Sequence, residues 1–290
     1  MAILRDKLPA NVEGPFYVDL SCIDCDTCRW QAPSVFGREN DQSFVKKQPN
    51  LDEEQVVLEA LLSCPTNSIG VHPRNPQLQM VRESFPKPIE DEVYYCGFHS
   101  EKSFAASSYF VRSKEGNVLI DVPRWDPVLV KSLEKLGGIQ HIFLTHKDDV
   151  GDHARYAEFF HAERWLHKSE CKGELSSVEN KMSENEAFPW LSDFQVIPTP
   201  GHSEGSQCLL YKNKFLFTGD HLAWSVRLQH LYAFVNFCWY DWKTQVNSLE
   251  SLLQFDFSIV LPGHGRRWQR NTPEQMREDL LVALDWAKAQ

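Results

Sequence analysis

The 290-residue sequence contains no apolar run approaching the roughly 18 to 20 residues of a membrane-spanning helix, so no membrane partner is expected. Its first residues, Met1-Ala-Ile-Leu-Arg-Asp-Lys7, lack an apolar stretch long enough for a signal peptide, and no Arg- and Ser-rich transit segment is visible. Positive charge is short as well. Thirty Lys and Arg stand against 40 Asp and Glu, a net charge of −10, which argues against nucleic acid or an anionic membrane surface as partner. There is no internal repeat and no recognisable flavin-binding segment. A hydrophobic fraction of 42% and a charged fraction of 24% fit a packed globular protein. The expectation is a cytoplasmic protein acting on a small molecule.

Cysteine is present, and its distribution matters more than its count of eight. Cys96, Cys171, Cys208 and Cys238 are scattered singly and read as buried reduced thiols. Cys22-Ile-Asp-Cys25-Asp-Thr-Cys28 instead places three thiolates on one loop, the bite that holds three corners of a cubane cluster. Cys64-Pro65 supplies the fourth at the end of a helix expected from Glu53 to Leu62. Where a two-cluster protein continues with a further cysteine, this chain has Ala32-Pro33, and no second cysteine run exists. A four-thiolate zinc site is the alternative, but such sites usually show two separated cysteine pairs. From Asn11 to about Ile69 the sequence resembles the single-cluster bacterial ferredoxins. The resemblance implies a small α+β ferredoxin-like domain with one [4Fe–4S] cluster on Cys22, Cys25, Cys28 and Cys64.

Composition changes near residue 72. Val71-His-Pro-Arg-Asn-Pro-Gln-Leu78, continuing to Phe85-Pro-Lys-Pro88, is proline-rich and has little apolar periodicity. We therefore expect a first domain over 1–72, a stiff linker over 73–92 and a larger domain over 93–290. In the larger part strands are expected at 93–96, 108–113, 118–123, 141–146, 194–198, 206–211, 214–218 and 258–262. Helices are expected at 126–136, from His153, at 241–254 and at 273–288. Strand pairs with interspersed helices indicate a layered α/β or α+β domain.

Four of these strands run into histidine or aspartate. The segments are His146-Lys-Asp148-Asp149-Val-Gly-Asp152-His153, Pro200-Gly-His202-Ser-Glu-Gly-Ser206, Thr218-Gly-Asp220-His221 and Pro262-Gly-His264. Glycine before a ligand lets the backbone turn sharply, and imidazole with carboxylate suits zinc or iron. The order and flanks resemble the metallo-β-lactamase superfamily over nearly all of 93–290. The resemblance implies an α/β fold, an αββα sandwich, with one or two divalent metal ions, iron or zinc. Asp121 matches the early structural aspartate. One site would use His146, a carboxylate from Asp148 or Asp149, and His202; the other would use Asp152, His153 and His264. Asp220 would bridge, and Asp220 and Asp152 would be the catalytic carboxylates. The family's His-x-His-x-Asp-His pattern is altered here: Asp148 stands for the second His, with two residues inserted before Asp152-His153. The flavodiiron branch likewise has a carboxylate there.

Less is expected of the remaining histidines; for His221, next to Asp220, orienting the site or substrate is the lesser alternative to an ordinary packing role. Arg266, Arg267 and Arg270 either form a solvated basic patch or bind an anionic group of the substrate, and Trp224, Phe234, Phe237, Trp239, Tyr240 and Trp242 pack in the core or line the metal cleft. Two functions stay open. One is a hydrolase of an ester or thioester, since the His202 loop looks nearest to the glyoxalase II-like thioesterases, with the cluster as a redox sensor or structural element. The other is an oxidoreductase whose cluster, fed by a redox partner protein, passes electrons to a mono- or di-iron site.

Overall fold

A computed structural model describes residues 2–290. The chain forms two compact units, Met1–Phe110 with Pro123–Gly138, and Val111–Val122 with Ile139–Gln290.

In the first unit, strand Phe16–Val18 pairs antiparallel with Ile69–Val71, and Phe36–Glu39 forms a hairpin with Gln42–Val45. Buried Asn11 ties these together. Its amide donates to the Leu8 and Val18 carbonyls, and its Oδ1 accepts from the amides of Val18 and Val45. Helix Glu54–Ser63 buries Val57, Leu58, Ala60 and Leu62 against this frame. The segment expected to be a linker has structure of its own. It carries helix Leu78–Glu83 and strand Lys87–Glu90, which pairs with Val93–Tyr95. Burial overrides the proline signal here: Val81 and Phe85 are inside, and the Phe85 ring meets Phe98 edge-on at 5.2 Å. Helix Pro127–Lys135 begins with Asp126 Oδ1 accepting from the amides of Val128 and Leu129, with Pro127 in the first turn.

In the second unit, strands Val118–Ile120, His141–Phe143, Glu163–His167 and Asn180–Met182 run parallel in that order. A second sheet has the order Phe188–Pro189, Phe194–Pro198, Gln207–Tyr211, Phe215–Gly219, Ile259–Pro262, Trp268–Gln269. It is antiparallel except where Phe215–Gly219 meets Ile259–Pro262. One face, with Ile197, Cys208, Leu210, Leu216 and Val260, packs on Leu249, Met276, Leu280 and Leu284 of helices Trp242–Ser251 and Pro273–Lys288. The Gln207 amide donates to the Thr145 carbonyl, joining the second sheet to the loop after His141–Phe143. The expected α/β class holds. Among the described residues no helix is long and apolar enough to cross a membrane.

Candidate metal centres

Cys22, Cys25, Cys28 and Cys64 line one cradle with Ile23, Thr27, Ser43 and Ser68. The loop takes left-handed backbone at Asp24 and Asp26 (φ 60° and 68°), which aspartate tolerates better than most residues. Arg29 holds that shape, with Nη1 and Nε each 2.7 Å from Asp24 and Asp26. The amides of Ser43 and Ser68 each lie 3.3 Å from a sulfur, of Cys22 and Cys64. Burial pushes the Cys25 thiol up to about 11, against the Thr27 hydrogen bond, and pushes Cys28 higher still. Four thiols converge, and the buried pair Cys25 and Cys28 needs a cationic group beside it to become thiolates, a charge that iron supplies. The donor set fits a cubane cluster.

Sequence reasoning missed the shell around this cradle. Thr27 Oγ1 lies 3.1 Å from Nδ1 of fully buried His99, whose Nε2 lies 2.7 Å from the Tyr95 hydroxyl. Arg124 Nη1 donates to the carbonyls of Cys64 and His99, each at 2.7 Å, and Nη2 donates to Leu62 at 2.6 Å. Such long-range bonds leave no local pattern to read.

In the second unit, three imidazoles surround one carboxylate. Asp220 Oδ2 is 3.8 Å from Nε2 of His146, of His202 and of His264. Asp148 Oδ2 lies 3.8 Å from His146 Nε2 and 3.6 Å from His202 Nε2. Asp149 Oδ1 lies 3.6 Å from His264 Nε2. Glycines make room for this: Gly201 has φ +146°, and a Cβ there would lie 2.3 Å from Gln245 Cα. The His146 tautomer follows from its neighbours. Thr145 Oγ1 sits 3.0 to 3.1 Å from the Asp121 oxygens and spends its proton there, so it accepts from His146 Nδ1, 3.0 Å away. His146 Nε2 is then a bare lone pair facing Asp148 and Asp220.

The expected ligands Asp152 and His153 lie at the start of a helix. Asp152 stands at the N-cap of helix His153–Phe160. His153 Nδ1 lies 3.2 Å from Arg164 Nη1, and a guanidinium only donates, so the proton of neutral His153 sits on Nε2. Among the described residues, the ligand atoms mutually within 4.8 Å are those of His146, Asp148 and His202, and those of His146, Asp149 and Asp220. The structure therefore brings both members of the Asp148–Asp149 pair to the centre, where one was expected.

Buried polar atoms without a hydrogen-bond partner converge here: His146 Nε2, both Asp149 oxygens, both His202 ring nitrogens and Asp220 Oδ1. Burial, then the Asp149 carboxylate, push Asp121 well above the carboxylate range. Burial raises Asp220 too, against His264. His264 is driven to about 9 in spite of burial, chiefly by Asp220 and Asp149. Protons thus stand where cations belong, and the donor set fits divalent metal. His221, buried next to Asp220, is pushed to about 3 by burial and then His202, so it is neutral. A cleft of about 590 Å³ opens beside the centre, lined by Lys147, Asp148, Lys172, Ser203, Trp239 and Tyr240.

Comparison with known proteins agrees with both geometries. Residues 18–71 match the family described as the 4Fe-4S single cluster domain of Ferredoxin I. Among solved structures, the metallo-β-lactamase from Pontibacter korlensis superposes with a TM-score of 0.53 at 18% identity, covering 70% of this chain and 98% of its own. This chain has the metallo-β-lactamase fold. DIM-1 metallo-β-lactamase gives 0.50 at 15% identity, covering 68% and 96%, and VMB-1 gives 0.50 at 20% with the same coverage. No curated protein matches the chain. The residue that the expected second site left out, and that the structure sets beside His264, is Asp149. The adjacent-carboxylate pair is its one visible signal.

Proposed function

We propose that the protein is a metal-dependent hydrolase of an ester or thioester, with a redox-active [4Fe–4S] cluster in its ferredoxin-type domain. The observation that carries this reading is the placement of Asp148. It is 45% exposed on the cleft while its Oδ2 faces the buried His146 and His202. A substrate in the cleft therefore meets the ligand set directly. His146, Asp148 and His202 would hold one ion, Asp149 and His264 a second, and Asp220, equidistant from the three imidazoles, would bridge. Bound there, divalent ions polarise a carbonyl and lower the pKa of water, giving a nucleophile at neutral pH. The chain's own residues do the rest. Lys147 and Lys172 offer cations to an anionic group of the substrate, and Trp239 and Tyr240 wall the cleft with apolar surface. Asp121 and Thr145 fix the His146 tautomer.

A second reading is an oxidoreductase fed by the cluster, with a redox partner protein. The paired carboxylates Asp148 and Asp149 favour it, because hard oxygen donors suit iron more than zinc. One experiment separates the two. Protein purified anaerobically is assayed for metals and for hydrolysis of aryl esters and acyl thioesters, alongside Cys25→Ser and His202→Ala. Hydrolysis that survives Cys25→Ser and is lost in His202→Ala supports the hydrolase. Iron well above four per chain, with no hydrolysis, supports the redox enzyme and overturns the first reading.

A further inference from the structure

The first unit holds a second large cavity, of about 550 Å³, lined by Arg74, Arg82 and Arg124. We propose that it binds a small organic anion, a carboxylate or phosphate carried on an apolar body. Three guanidiniums in one cavity stand out in a chain of net charge −10. The cavity's one carboxylate, Asp126, is already engaged: one oxygen pairs with Arg82, and the other caps helix Pro127–Lys135. Arg82 Nε is buried with no acceptor. Arg124, 5.6 Å from the Phe98 ring centroid, donates from both Nη atoms to the Cys64, His99 and Leu62 carbonyls and to Asn67 Oδ1, so it supplies charge while Arg74 and Arg82 supply the paired contacts. Planar guanidiniums recognise carboxylate and phosphate by paired hydrogen bonds. Leu61, Leu62, Ile69 and Phe98 give the wall an apolar stretch beside the polar Tyr17, Asn67 and Gln79, so the anion's body has apolar surface to meet. The volume lies within the roughly 300–1,000 Å³ of small-ligand sites. The site is separate from the metal cleft in composition, and it adjoins the cluster cradle through Arg124, which bonds the Cys64 carbonyl.

The test titrates full-length, cluster-loaded protein calorimetrically under anaerobic conditions with phenyl phosphate, benzoate and inorganic phosphate. Saturable binding of phenyl phosphate or benzoate is expected, and which of the two binds tighter identifies the anion type. Arg74→Gln and Arg82→Gln should each weaken it at least about tenfold, the loss of one charge-assisted hydrogen bond. Arg74 is exposed, so its variant folds even where Arg82→Gln does not, and the visible absorbance reports the intact cluster. Asp148→Asn should leave binding unchanged. The proposal is overturned by the absence of saturable heat at millimolar anion, or by binding that both arginine variants retain. It is overturned equally by binding that only Asp148→Asn removes, which places the anion at the metal cleft, and by inorganic phosphate binding as tightly as phenyl phosphate.

Discussion

Replacing Asp149 by asparagine should act with opposite sign on the metal-free and metal-loaded protein. Its side chain is 1% exposed and no donor reaches either oxygen, while its charge adds to that of Asp121 and Asp220. His264, 3.6 Å away, offsets part of this cost and keeps Asp220 as a partner in the variant. Asparagine leaves a neutral amide there and removes the charge, whose burial without a full partner costs more than the roughly 1–3 kcal/mol of a neutral unsatisfied group, so Asp149→Asn should stabilise the metal-free protein by about 1–2 kcal/mol. That is a rise of roughly 2–6 °C in Tm. With metal the sign reverses. Losing a ligand should cost at least the ~10–100-fold of second-shell changes, removing about 1.4–2.7 kcal/mol of ligand-linked stability. Asp148→Asn should also lose about one metal per chain, but without the metal-free gain, because the His202 imidazole, 3.6 Å away, already holds Asp148 below the usual carboxylate range. The metal-free protein has its own pH signature. Asp121 and Asp220 have raised values when folded, so folding takes up protons, and stability present at low pH is lost as pH rises through those values. Asp149→Asn should flatten that slope. Thermal melts in chelator and in added zinc or iron, with metal counting, measure all of this. An Asp149→Asn protein with full metal and a lower metal-free Tm would refute the ligand assignment.

Cys64→Ser should lose the visible absorbance of the cluster as fully as Cys25→Ser; a stable, brown Cys64 variant would remove it as the fourth ligand. A fragment of residues 1–72 should hold the cluster poorly, because His99, Tyr95 and Arg124 lie outside it, and Arg124→Gln in the full chain should bleach faster in air. A fragment as stable as the whole protein would show those contacts to be dispensable. Gly201→Ala should cost about 1–3 kcal/mol by forcing a Cβ into Gln245, and should lower metal content by shifting His202. Unchanged metal affinity in that variant would mean the loop adapts.

What the sequence makes legible is local. The cysteine loop and the ligand-bearing strand ends carry their chemistry in consecutive residues, so Cys22 to Cys28, His146, His202, Asp220 and His264 stand out from the order of residues alone. The inserted stretch after His146 does not resolve that way. Adjacent Asp148 and Asp149 project differently, and only the three-dimensional turn shows one facing His202 and the other His264. Family spacing points to Asp152 and His153 instead, and nothing in the sequence shows Arg164 beside His153. The proline-rich stretch misleads because proline counts do not record that Val81 and Phe85 are buried.

The bonds from Arg124 to the Cys64 and Leu62 carbonyls bear on how the protein is made. A ribosome releases all four cluster cysteines well before it releases Arg124. Synthesis of the stretch from residue 72 to residue 124 takes roughly 3–10 s at ordinary elongation rates. During that interval the thiols are present, but the carbonyl turn that presents Cys64 lacks its guanidinium clasp. A nascent polypeptide stalled before residue 124 should therefore accept a cluster poorly, although it already carries the whole cysteine motif. The cell's cluster-delivery machinery would meet a competent acceptor only after that point in translation.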